Sequence, residues 1–121
     1  MNLKEGSILY VRIDYKAGEK EATDQDAQDS MEYLQSIGRE RYLLAGVIGD
    51  MELGEIGGAM ILFEAKDLEE ANNIANNDPI IKRGFYRYKL HKWNLMISSE
   101  CFSKYVNVSI ISMDKSTYKV I

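Results

Sequence analysis

The chain is poor in the residues on which sequence-based assignments of chemistry usually rest. Among 121 residues there is one cysteine, one proline, one histidine and one tryptophan. A lone Cys101 excludes an intramolecular disulfide and suits a reducing compartment. No neighbour in the sequence would stabilise its thiolate, so it reads as a small hydrophobic residue rather than a nucleophile. Long apolar runs are also missing. The stretch MNLKEGSILYVRIDY is interrupted at Arg12 before it could form a signal-peptide core or a membrane span, so a cytoplasmic protein without membrane contact is expected. The formal net charge is −4, and lysines and arginines are scattered along the chain, which argues against a nucleic-acid partner. Gly54, Gly57 and Gly58 are not followed by the strand-to-helix turn with Lys and Ser or Thr that cradles a phosphate.

What is present is globular. Hydrophobic residues make up 45% and charged residues 28%, and the length suits one core. SILYVRIDY (7–15) alternates, with Leu9, Val11, Ile13 and Tyr15 on an apolar face and Ile8, Tyr10, Arg12 and Asp14 on a mixed one, which predicts a strand. A helix is expected from about Thr23 to Arg39, burying Ala27, Ser30, Met31, Leu34 and Ile37, with Asp24, Asp26 and Asp29 in its first turns. YLLAGVIG (42–49) and AMILFEA (59–65) read as a hairpin joined by DMELGEIGG. Asp67, with Glu70 three positions on, opens a second helix that buries Leu68, Ala71, Ile74 and Ala75. FYRYKLHKWNLMI supplies the last strand.

The order βαββαβ predicts an α+β, ferredoxin-like domain over residues 1–97: an antiparallel four-stranded sheet with two helices on one face. Residues 98–121 are a C-terminal β extension, in which YVNVSIISM alternates like a strand and TYKVI is placed to pair back. The helices are expected to leave uncovered the mixed face of the sheet, with Ile8, Tyr10 and one side of FYRYKLHKW. An open sheet face of this kind predicts a homodimer.

The single proline, Pro79, stands in NNDPIIKRG. Asp78 before it is a preferred N-cap and proline a preferred first helical residue, so the pattern predicts a short turn from Pro79 to Arg83 ended by Gly84. The same residues carry a resemblance. Asp67, Glu69, Glu70, Ala71, Asn77, Asp78, Pro79, Gly84, Tyr86 and Trp93, with LLAG at 43–46, resemble the YCII-related (YciI-like) family over roughly residues 7–97. That resemblance implies a dimeric α+β barrel and a proposed active site pairing an aspartate, here Asp78, with a histidine on the first helix. Some relatives act on small aromatic compounds, by dehydrochlorination among other reactions.

The histidine has no counterpart here, because its place falls at Asp29 or Ser30. His91 lies six residues down the last strand, about 20 Å from Asp78 at roughly 3.3 Å per residue, beyond hydrogen-bond reach. Asp78 is therefore the catalytic candidate, with Asp29, Ser30 or Tyr15 as substitute proton-handling groups. Neither cofactor nor metal is indicated. The carboxylates expected near Asp78 do not have the spacing of a known cation loop. Two functions remain: a dimeric small-molecule-binding or non-catalytic module that has lost the histidine, or an acid–base enzyme of lyase or dehydrochlorinase type using Asp78. A small polar or aromatic ligand suits either. Arg12 and Asp14 must pair, reach water or bind something polar, since buried unpaired charge is costly.

Overall fold

The computed structural model describes residues 8–49, 56–94, 96–99 and 119–120. Strand β1 (Ile8–Lys16) leads into helix α1 (Asp24–Gly38), followed by β2 (Leu43–Gly49), β3 (Ile56–Ala65), α2 (Leu68–Asn76), a single turn α3 (Pro79–Lys82) and β4 (Tyr86–Lys92). β1 to β4 form one antiparallel sheet in the order β2-β3-β1-β4. This is the α+β, ferredoxin-like arrangement read from the sequence.

Local chemistry sets the helix ends. Thr23 caps α1: its hydroxyl accepts from Asp26 N at 3.1 Å, and the Asp26 carboxylate accepts from Thr23 N at 2.9 Å. Asp67 Oδ1 accepts from Glu70 N at 2.8 Å to start α2. Glu70 does not close a reciprocal box. Its carboxylate is engaged by Arg41 and, at 3.4 Å, by Lys66 N. Gly84 ends α3 with φ +81°, a conformation that favours glycine. Gly58 is needed for another reason: a Cβ there would lie 2.3 Å from the Asp14 carbonyl oxygen, where β3 runs tight against β1.

The helices cover the opposite face of the sheet from the one expected. Tyr10, Arg12 and Asp14 are buried, opposite Phe63, Ile61 and Ala59, whereas Leu9, Val11 and Ile13 are half-buried and Tyr15 is exposed. The core is Tyr10, Ile61, Phe63 and Ala65 from the sheet with Ala71 and Ile74 from α2. Two-residue periodicity separates the faces of a strand but does not say which one a helix will cover. Here the mixed face is covered because the charges on it are neutralised in place.

The helix stripes shift for related reasons. On α1, Ser30 is buried and Tyr33, Leu34 and Ile37 are half-buried, while Ala27 and Met31 are exposed. The edge strand β2 lies largely beyond the cover of α1, so Val47 is exposed on the helix side and Met31, Leu34, Leu43 and Ala45 border an open apolar groove. Leu68 is exposed as well, at the rim of α2.

The uncovered face therefore carries Leu9, Val11, Ile13 and Tyr15 of β1, Met60 and Leu62 of β3, and Leu44 and Ile48 of β2. Along β4 it carries Arg87, Lys89 and His91. Trp93 continues the register, donating its N–H to Leu9 O at 3.0 Å. Beyond it, Ile97–Ser98 (β5) pairs in parallel with Lys119–Val120 (β6). TYKVI thus returns in part to the segment just after β4. YVNVSIISM, Cys101 and most of the hairpin loop with Gly54 lie outside the described residues. Among the described residues, no helix is long and apolar enough to cross a membrane.

Candidate functional site

Asp78 sits where α2 ends and α3 begins, with no exposed surface. Its Oδ1 accepts from Ile80 N at 3.1 Å, which is the capping role expected of an aspartate before proline. Its other oxygen faces the sheet, where Arg12 Nη2 stands 2.9 Å from Asp78 Oδ2. The guanidinium is oriented by Asp14. Nε donates to Asp14 Oδ1 at 2.7 Å and Nη2 to Asp14 Oδ2 at 2.6 Å, a bidentate pair. Asp78 Oδ2 consequently receives the arginine's charge at ion-pair distance without a well-aligned hydrogen bond.

All three side chains are at most 3% exposed, so this is a buried ionic cluster of two carboxylates and one guanidinium. Burial works against the Arg12 charge, yet hydrogen bonding and attraction from Asp14, then Asp78, hold its pKa above the ordinary value. Burial also pushes the Asp14 carboxyl up. Arg12 opposes that shift and the charge of Asp78 adds to it.

Polar groups surround the cluster. The Tyr33 hydroxyl of α1 donates to Ile74 O at 2.7 Å, and burial, then the Asp78 charge, raises its pKa. Tyr88, opposite Asp14 in the sheet register, places its hydroxyl 2.8 Å from Asn76 Oδ1 and 3.0 Å from Asn72 Oδ1.

The other sequence candidates have partners or positions of their own. Asp29 and Asp26 hold Arg83, with Arg83 Nη1 donating at 2.8 Å to each. The Asp29 carboxyl is pulled down by that bond and by Gln25, and the Asp26 carboxyl by its bonds to Thr23, then by Arg83. Ser30 is buried on α1. Tyr15 points to the opposite side of the sheet, 41% exposed, with Lys89 Nζ 5.9 Å from its ring centre. His91 is exposed on that same open face, opposite Val11. Among the described residues, no three His, Cys, Asp or Glu side chains stand close enough together to hold a metal ion.

The partner that sequence reasoning missed is Arg12. Its signal was an arginine and an aspartate two residues apart on one strand face, a pattern that calls for neutralisation. That Asp78 shares the arginine follows only once α3 is seated on the sheet.

The YCII-related domain matches residues 8–94, most of the chain. The chain belongs to the YCII-related family. A solved relative in fold is 5-chloro-2-hydroxyhydroquinone dehydrochlorinase from Burkholderia phenoliruptrix, in complex with 2,5-dihydroxybenzoquinone. It superposes with a TM-score of 0.54 at 17% identity, over 71% of this chain and 93% of the other. At that identity the likeness concerns the fold. No curated protein matches the chain. In this YCII-related chain, the aspartate of the D-P motif faces an arginine from β1, and α1 offers Asp29 and Ser30 where the resemblance leads one to expect a histidine.

Proposed function

We propose that this chain is a dimeric, small-molecule-binding or non-catalytic YCII-related protein in which Asp78 holds the fold together rather than handling protons. One observation carries this reading: Asp78 is fully enclosed, with one carboxylate oxygen on Ile80 N and the other against Arg12. Enclosed in this way, the carboxylate is not placed to meet a substrate proton from the surface. No imidazole is available, because His91 lies on the other face of the sheet. The dimer is argued from the uncovered face, where Leu44, Ile48 and Met60 are exposed beside Val11, Ile13 and Leu62.

The alternative is an acid–base enzyme at Asp78, and one feature speaks for it. Asp78 Oδ2 lacks an aligned hydrogen bond, and a neighbouring carboxyl, Asp14, is shifted upward by burial. Chloride release from 5-chloro-2-hydroxyhydroquinone separates the two readings. We expect wild type and Asp78→Asn to release chloride at the same background rate. Release by wild type that is lost in a folded Asp78→Asn variant would establish the enzyme.

A further inference from the structure

Strand β2 lies at the end of the sheet order β2-β3-β1-β4, so among the described residues it pairs with β3 alone. In an antiparallel pair the hydrogen-bonding groups of every second residue turn toward the neighbour. Glu64 donates its N–H to Tyr42 O at 3.1 Å, so the residues turned toward β3 are Tyr42, Leu44, Gly46 and Ile48. Leu43, Ala45 and Val47 turn their N–H and C=O outward, where no strand among the described residues meets them. Natural sheets usually blunt such an edge with charge, proline or a bulge. Leu43–Gly49 carries neither charge nor proline, and its register shift falls at the far end, between Ile48 and Gly49.

The same three residues project to the helix side of the sheet, opposite Phe63, Ile61 and Ala59. There Leu43 and Ala45 line the apolar groove with Met31 and Leu34 of α1. Met31 is 55% exposed and Val47 68%. A single charged residue borders the groove, Arg39, just past the end of α1. Its side chain is exposed and makes no hydrogen bond or ion pair with another described residue. Outward backbone groups, apolar side chains and a cation without a partner thus lie along one edge.

We propose that the edge of β2 binds an extended peptide as an added antiparallel strand, with alternate apolar side chains in the groove and an acidic residue on Arg39. Antiparallel addition continues the pattern of the sheet and is the slightly stronger pairing. It matches successive alternate residues of the peptide to Val47, Ala45 and Leu43, in that order. Residues directly opposite one another share a face, so those that bond to these three place their side chains on the groove side. The C-terminal part of the peptide therefore arrives beside Leu43 and the end of α1, where an acid meets Arg39. Backbone pairing supplies affinity and the alternating side chains supply specificity. A second copy seated on the open face approaches from the other side of the sheet, so the inference does not rest on the dimer reading.

The probe is an acetylated and amidated peptide, Lys-Val-Thr-Leu-Thr-Leu-Thr-Glu, titrated calorimetrically into the full-length chain. It should bind, and the same residues reordered to place the valine and leucines side by side should not. N-methylation of both leucines removes N–H groups that meet β2 and should abolish binding. N-methylation of the two threonines between the apolar residues, whose N–H groups face away, should leave it intact. Gln for the terminal Glu, or Arg39→Gln in the protein, should weaken binding by roughly two- to five-fold, as for an exposed charge. The two changes together should cost no more than either alone. Ala45→Pro removes one outward donor at a position where an edge strand tolerates proline, and should abolish binding. Failure of the parent peptide to bind overturns the proposal. So does equal binding of the reordered peptide, of the leucine-methylated peptide, or by a folded Ala45→Pro variant. The methylated pair decides the matter even if that variant does not fold. A Gln peptide that binds as tightly as the Glu peptide overturns the role of Arg39. Sedimentation of Ala45→Pro reads the rival occupant: an assembly smaller than wild type overturns the proposal in favour of a second copy on this edge.

Discussion

Arg12 reaches from the middle of β1 to Asp78 at the start of α3, and the same guanidinium is held edge-on by Asp14. One arginine thus ties the short turn after α2 to the centre of the sheet. The turn precedes β4 directly, so this tie also fixes where the last strand enters the fold.

Substituting Asp78 should separate its cap from its charge. Asn keeps the cap on Ile80 N and loses the charge facing Arg12, so Asp78→Asn should cost about 1–3 kcal/mol, as for a buried polar group that loses its partner. Asp78→Ala should cost about 1 kcal/mol more through the lost cap. Asp78 faces Arg12, so its charge matters as well as its shape. Urea unfolding of both variants measures it.

Removing Arg12 is expected to be worse than removing either aspartate. Arg12→Met leaves Asp14 and Asp78 buried without a counter-charge, and breaking a buried pair from one side costs about 3–5 kcal/mol. Circular dichroism melts should show the largest loss among the three single variants.

The surface cluster around Arg83 predicts an acid dependence. The Asp26 and Asp29 carboxyls are held below their ordinary value, so their stabilisation is present above about pH 3.9 and fades as pH falls through the lowered values. Asp14 has the opposite sign. Its raised carboxyl stabilises the fold below the ordinary value, and that share is lost as pH rises through the raised one. Arg83→Ala should therefore lower stability at pH 6 and make the decline between pH 5 and pH 3 shallower. A series of melts across that range checks the sign.

The open face predicts which side chains hold two copies together. Met60→Glu or Leu44→Glu should shift sedimentation toward the monomer without unfolding, since both residues are already exposed in the single chain. Val47→Glu, exposed on the other face of β2, should leave assembly unchanged. Equal sedimentation of all three with wild type would remove the open face as the contact.

Much of the fold was legible because local signals agreed. Thr23 and Asp26, Asp67 and Glu70, and Asp78-Pro79 with Gly84 each mark a helix boundary through short-range hydrogen bonding, and each boundary falls within about a residue of its expected place. The sheet faces were not legible. Arg12 and Asp14 count against burial in any reading by hydrophobicity, and they are tolerated because they pair with each other and Arg12 also meets Asp78, 66 residues further on. The row Arg87, Lys89, His91 was hidden for a similar reason: alternating with Tyr86, Tyr88 and Leu90, it forms no basic run in the sequence and becomes a stripe only on a strand. Asp78 is visible in the sequence, but its ion-pair partner Arg12 is not. Asp29 and Tyr15 are near it in topology, yet one is tied to Arg83 and the other points through the sheet.

The central claim is that the charge of Asp78 serves Arg12, and a double-mutant cycle tests it most directly. Unfolding free energies are measured for wild type, Asp78→Asn, Arg12→Met and the double variant. Asp78→Asn should destabilise wild type but restore stability in the Arg12→Met background, where it removes an uncompensated buried carboxylate, giving a coupling larger than the loss in wild type. The same loss from Asp78→Asn in both backgrounds, additive within about 0.5 kcal/mol, would contradict the account.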